Sequence, residues 1–325
     1  MTDREHNVQR RRRMIGYATI VAVAPYLVLK VLWLSGNMLG VPEHSPAYRG
    51  WGAQNAVTLC MDIAAVAIGL ALTRDWGHRV PASLIIVPAW VATGFLAPAV
   101  VEVPVGFIST LVTSGQLVSL RGGLVEPWAY AVVYSSFAAQ GVLLGIAFAG
   151  YVRSRWSVWL APAGLSPNGA HTVQRAVAVC CAIPAAFVAA VQLTLAVIAP
   201  DGWRADDWSM TTRMVQAVEG SFAATAAASL LALAGVPVMR PTIRVPTKWQ
   251  VALTWSGSGV MFSYGSLRTF SALAGLPLSE QIPPAARIVN LAAMVAGLML
   301  AVTAVLILAE DRSRVVADFA EAERR

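Results

Sequence analysis

Apolar residues fill this chain in blocks of twenty or so, separated by short polar segments rich in arginine, proline and glycine. A block of that length matches the roughly 20 residues a helix needs to cross the hydrocarbon layer of a bilayer. A window of that width finds eight spans, at 14–36, 53–73, 80–101, 127–151, 174–199, 212–237, 248–268 and 287–309. All are expected to be helical, because an open strand in lipid leaves backbone groups unpaired. The run 104–120, PVGFISTLVTSGQLVSL, is short and bears Ser, Thr and Gly, so it is read as a surface or re-entrant helix. The predicted fold is all-α and polytopic. It comprises a basic N-terminal segment (1–13), a first four-helix group (14–151), a second (174–309) and a tail (310–325).

Composition sharpens this picture. Of the 325 residues, 57% are hydrophobic and 13% charged, against roughly 25% charged in soluble domains. The net charge of +7 is confined to short segments between apolar blocks, with no basic patch interleaved with aromatics. That pattern sets nucleic-acid binding aside and reports topology instead. With the N-terminus inside, seventeen Lys and Arg fall on the inner side and six (Arg49, Arg121, Arg204, Arg213, Arg268 and Arg287) on the outer. The asymmetry places both termini in the cytoplasm of a plasma-membrane protein. The run after MTDREHNVQRRRR is too long for a signal-peptide core and is read as retained.

Candidate metal chemistry is sparse. Cys60, Cys180 and Cys181 lie within apolar runs, where a thiol behaves as a small hydrophobe. His6, His44, His78 and His171 lie outside the spans, and no H-E-x-x-H or C-x-x-C spacing occurs. No metal and no cofactor is therefore assigned.

The two halves echo one another. Arg79-Val80-Pro81, Trp90 and Gly94 recur at the same spacing as Arg244-Val245-Pro246, Trp255 and Gly259. Trp51 precedes Asp62 by eleven residues, as Trp208 precedes Glu219; Arg13 precedes Lys30 by seventeen, as Arg175 precedes Gln192. Four spans per half make the expected arrangement a parallel repeat about an axis along the membrane normal. Coincidence among searched spacings is the alternative.

Three ionisable residues sit well inside the spans: Lys30, Asp62 and Glu219. At 1.5 Å per residue, Lys30 and Glu219 fall roughly 7 Å outward of the midplane and Asp62 close to it. A lysine in mid-bilayer costs about 2.5–3.5 kcal/mol on insertion scales, so Asp62 is expected to neutralise it. The bland reading of that pair is a helix pin. Glu219 faces Gln192 where the first half has lysine, so no cation is offered to it within the spans. A desolvated, unpartnered carboxyl stays protonated and can act as a proton donor; a hydrogen-bonded structural glutamate is the alternative. Asn55, with Lys30 and Gln192, completes the electrostatic set.

Aromatic residues accompany the acids. Tyr130 and Tyr134, four apart, share a helix face; Tyr264 lies in the outer half of span seven. Trp90 and Trp255 lie near mid-membrane, away from the interfacial belt that tryptophan favours, either as substrate walls or as plain packing. The inner halves of most spans carry little that is polar. A path for small hydrophilic solutes is not evident there.

A protonated acid, a second acid, aromatic faces, an apolar vault and no D-D-x-x-D stretch together suit proton-initiated cyclisation of an isoprenoid chain. Aromatic faces stabilise a travelling carbocation, and exclusion of water prevents quenching. Asp62 in NAVTLCMDIAAVA and Glu219 in MVQAVEGSFAA resemble the paired acids of integral-membrane terpene cyclases, the fungal meroterpenoid enzymes and the actinobacterial drimentine-type enzymes. The stretches YLVLKVLWLSGNMLG and RVPASLIIVPAWVATGFLAP also resemble actinobacterial membrane proteins that carry no assigned function. The cyclase resemblance implies Glu219 as proton donor and Asp62 as charge stabiliser or final base, or the reverse. It also implies a lipophilic prenylated small molecule as substrate, held among membrane lipid by Trp90, Trp255, Tyr130, Tyr134 and Tyr264. Two other classes fit the same residues. One is a proton-coupled permease or exporter of an amphipathic metabolite; the other is a non-catalytic partner or immunity protein.

Overall fold

The computed structural model of the chain describes residues 3–45, 52–114, 125–156, 170–198, 210–236, 245–275 and 284–322. Eight α-helices occur among them: α1 (Asp3–Leu34), α2 (Gly52–Thr73), α3 (Ala82–Ser114), α4 (Pro127–Trp156), α5 (Ala170–Val197), α6 (Met210–Leu233), α7 (Thr247–Leu273) and α8 (Pro284–Ala322). A single 3₁₀ turn, Asp75–His78, follows α2, and no strand is present among the described residues. Seven of the helices are long and apolar enough to cross a membrane. The eighth, α7, has the length at 27 residues. Its Lys248, Gln250, Ser256, Ser258, Ser263, Ser266 and Arg268 dilute its hydropathy. The chain is thus an all-α multi-pass membrane protein.

One expectation is corrected. The segment 104–120 does not begin a separate surface helix: α3 runs unbroken through Pro88, Pro98 and Pro104 to Ser114, and residues 115–120 lie outside the described set. Proline removes one backbone donor and bends a helix, but in a long apolar helix it need not end it. Because α3 continues, Glu102 lies inside a candidate span, Ala82–Ser109. It is an intramembrane acid additional to Asp62 and Glu219.

Contacts divide the chain into two units, Met1–Arg155 and Trp156–Arg325. In the first, α1 packs along α2, and both ends of the unit are tied by polar contacts. At one end Arg155 donates to the Val80 carbonyl at 3.1 Å and Arg12 to the Leu72 carbonyl at 3.3 Å. Burial and the nearby Arg12 and Arg155 push the His78 imidazole below its ordinary pKa. It is therefore neutral at pH 7 and bonds Ser154 at 3.2 Å. At the other end Trp33 Nε1 donates to the Leu39 carbonyl at 2.9 Å, and the Glu126 amide to the Gly40 carbonyl at 2.7 Å. Gly40 has φ +74°, and a Cβ there would sit 2.7 Å from the Trp128 ring. Only glycine serves both needs.

In the second unit α5 packs on α6, α6 on α7, and α7 and α5 on α8. Its core is built largely of alanine, including Ala185, Ala189, Ala223, Ala226, Ala293 and Ala296. Small side chains let helix backbones approach closely in lipid, where packing rather than water exclusion drives association. Gly257 shows how close: a Cβ there would lie 2.2 Å from the Phe222 carbonyl oxygen. Gly257→Val is therefore expected to lower stability by about 3 kcal/mol, the upper end for overpacking. Gly145→Ala, with open space around it, is expected to be neutral or slightly stabilising. Thermal unfolding of the two purified variants in one detergent checks the contrast.

Candidate functional site: two buried carboxylate pairs

In the first unit the site begins with the face of α1 that carries Tyr26, Lys30 and Trp33. The first two are four residues apart and so stack on one face. Lys30 is completely buried, and its Nζ lies 2.5 Å from Asp62 Oδ2 on α2, whose side chain is 7% exposed. Taking each ion out of water costs several kcal/mol, so the pairing is what permits either charge. Tyr26 reinforces it twice. Its ring face lies under the Lys30 ammonium, 4.1 Å from the centroid, and its hydroxyl forms a hydrogen bond with Thr58 of α2.

Aromatic rings extend from this pair to α4. Tyr26 meets Phe137 edge-on at 5.0 Å, Phe137 meets Tyr134 at 6.0 Å, and Tyr134 stacks on Tyr130 at 4.0 Å. Glu102 of α3 interacts electrostatically with both tyrosines. Tyr130 and Tyr134 thus belong to the same cluster as Lys30 and Asp62. Asn55 is also buried, on α2, and lies two turns before Asp62 on the same side of the helix. Trp90 is buried in α3 but lies twelve residues, about 18 Å of helix, from Glu102. It stands at another level of the unit.

The second unit is built differently. Glu219 on α6 is 3% exposed and held by Arg268 of α7. Arg268 NH1 donates to Oε2 at 2.7 Å and NH2 to Oε1 at 2.5 Å. Gln192 of α5 adds a third donor, Nε2 to Oε2 at 3.0 Å. This overturns the expectation of a solitary, uncharged carboxyl at Glu219. A bidentate guanidinium favours the ionised form of a carboxylate, the opposite of that expectation. Arg268 had been counted as an outer boundary residue, yet α7 continues to Leu273, and the side chain turns inward from the helix's last turns.

Tyr264 lies one turn before Arg268 on α7, its ring 5.3 Å from the guanidinium carbon. Together with Asn290 of α8, these groups line a small recess completed by Val260, Met261, Gly265 and Ala293. Its free interior is about the size of one water molecule, the least that a cavity needs to hold an occupant. Trp255 precedes Arg268 by thirteen residues, about 20 Å along α7, and takes no part in it. Among the described residues no group of three or more His, Cys, Asp or Glu is arranged to hold a metal ion.

The fold and these sites define an all-α multi-pass membrane protein in which each of two helical units buries a carboxylate against a cation. No protein-family model, curated protein or solved structure matches the chain.

The pairs differ in what their removal should do. Lys30→Met leaves Asp62 buried without compensation and is expected to cost about 3–5 kcal/mol, whereas adding Asp62→Leu should recover most of it. A double-mutant cycle on unfolding in mixed micelles measures the coupling.

Proposed function

We propose that the protein is an integral-membrane cyclase of isoprenoid chains whose acid is Asp62, not Glu219. The observation that carries this reading is the Lys30–Asp62 contact under the face of Tyr26. It joins a transferable proton to an aromatic wall that already accommodates a positive charge. In a water-free setting the proton on the Lys30 ammonium passes to the Asp62 carboxylate, leaving a neutral amine and a carboxylic acid. Asp62 then protonates a terminal alkene of the prenyl chain, and its electrons form the new C–H bond. The tertiary cation produced closes onto the next alkene while Tyr26, Tyr130 and Tyr134 stabilise it through their ring faces. Loss of a proton to the Lys30 amine gives the cyclic alkene and restores the ammonium. The product is an isomer of the substrate, and no cofactor is consumed.

The substrate of this reading is a lipophilic prenylated molecule drawn from the bilayer. The protein is placed in the plasma membrane with both termini cytoplasmic, as the distribution of arginine supports. Glu219 is assigned a structural part, paired as it is with Arg268.

A permease or exporter of an amphipathic metabolite is the second reading. Its support is that each unit buries a carboxylate of its second helix against a cation from a neighbouring helix, an arrangement also suited to coupling ions to transport.

Membranes containing the wild-type chain, incubated with a prenylated acceptor, are expected to yield an isomer of unchanged mass by chromatography and mass spectrometry. Asp62→Asn should abolish it, and Glu219→Gln should retain it in proportion to folded protein. Activity in Asp62→Asn would overturn the assignment. Transfer of unchanged substrate across proteoliposomes, with no isomer formed, would favour the carrier.

A further inference from the structure

The recess in the second unit is lined by a residue whose acceptor no described group satisfies. Gln192 is 6% exposed, and its Oε1 is buried without a hydrogen-bond partner. The orientation of its amide is chemically fixed. Glu219, ionised by Arg268, can only accept, so the amide nitrogen must face the carboxylate, as it does at 3.0 Å. Turning the amide over would set oxygen against oxygen. The carbonyl is left over, on a residue that lines the recess. An unmet buried acceptor carries a substantial desolvation penalty, which an occupant bearing a donor removes.

We infer that this recess binds the neutral hydrogen-bond-donor head, an O–H or N–H, of a molecule with an apolar body. Three features define that class. The acceptor calls for a donor. Glu219 and Arg268 already neutralise one another, so an added cation would face the guanidinium and an added anion the carboxylate. The remaining wall of Val260, Met261, Gly265 and Ala293 is apolar, and the space, about that of one water molecule, admits a single O–H or N–H group while the body of the molecule stays outside. Arg268, with 27% of its side chain exposed, gives the recess a rim from which such a molecule enters. This site stands on the second unit alone, whichever reading of the first unit holds.

Photolabelling tests it. The full-length protein in lipid nanodiscs is exposed to a decanol bearing a chain diazirine, or to its methyl ether, which matches it in bulk but lacks the donor. Label on the α7 segment around Val260–Arg268 is then quantified by mass spectrometry. One hydrogen bond predicts about three- to tenfold more labelling by the alcohol. Gln192→Lys, which removes the acceptor yet offers Glu219 a second cation, should equalise the two probes, and Gln192→Met should do the same without adding charge. Equal labelling by both probes in the wild type would mean that water alone occupies the recess and would overturn the proposal. So would an alcohol preference that survives in either folded variant.

Discussion

A carboxylate cannot be held inside a helical bundle in lipid unless a cation or several donors come with it. That requirement organises both units of this protein. In the first, α2 supplies Asp62 and α1 answers with Lys30. In the second, α6 supplies Glu219 and is answered from two sides, by Arg268 of α7 and by Gln192 of α5. Each pairing fixes the rotation and depth of the helices it joins, because sliding either by one turn, 5.4 Å, would strand a charge. The small residues between helices then become necessary. Gly257 and Gly265 bring backbones to the separation at which these side chains meet.

The two pairs are not chemically equivalent. Lysine carries a localised, removable proton and loses it readily when buried, whereas arginine keeps its charge in any protein environment. The fully enclosed Lys30 can pass a proton across its contact with Asp62. Arg268 cannot do the same for Glu219; it can only hold it ionised. Under the proposed reading, proton chemistry falls to the first unit and orientation of polar groups to the second. The aromatic residues follow the same division. Tyr26, Tyr130, Tyr134 and Phe137 gather about the proton-bearing pair, whereas Tyr264 lies against a guanidinium that has no proton to give.

The helical, membrane-spanning character was legible because runs of about twenty apolar residues have few other uses. The Lys30–Asp62 pair was legible too: two opposite charges in adjacent spans, within a side chain's reach in depth, have little choice of partner. Tyr26 could have been read with them, one turn before Lys30, but a tyrosine in an apolar run gives no signal until its neighbour is recognised. Arg268 was missed because an arginine at the edge of a span reads equally as a topology marker or as an inward partner. Nothing in sequence spacing says which way a long side chain turns. Glu102 was hidden by ending the third span at residue 101, just before Pro104, where local propensity opposed a helix that the surrounding apolar run sustains.

The placement of the cations connects these differences. The acid stands on the second helix of each half. The cation, however, stands on the first helix in one half and on the third in the other. With arginine arriving from α7, the position on α5 no longer needs charge, and glutamine there completes the carboxylate's donors. Glutamine differs from lysine in one further respect: it brings an acceptor as well as donors. Once its amide nitrogen is committed to Glu219, the oxygen is left without a partner among the described residues. The arginine that pairs with Glu219 thus goes together with an unmet acceptor on the glutamine beside it.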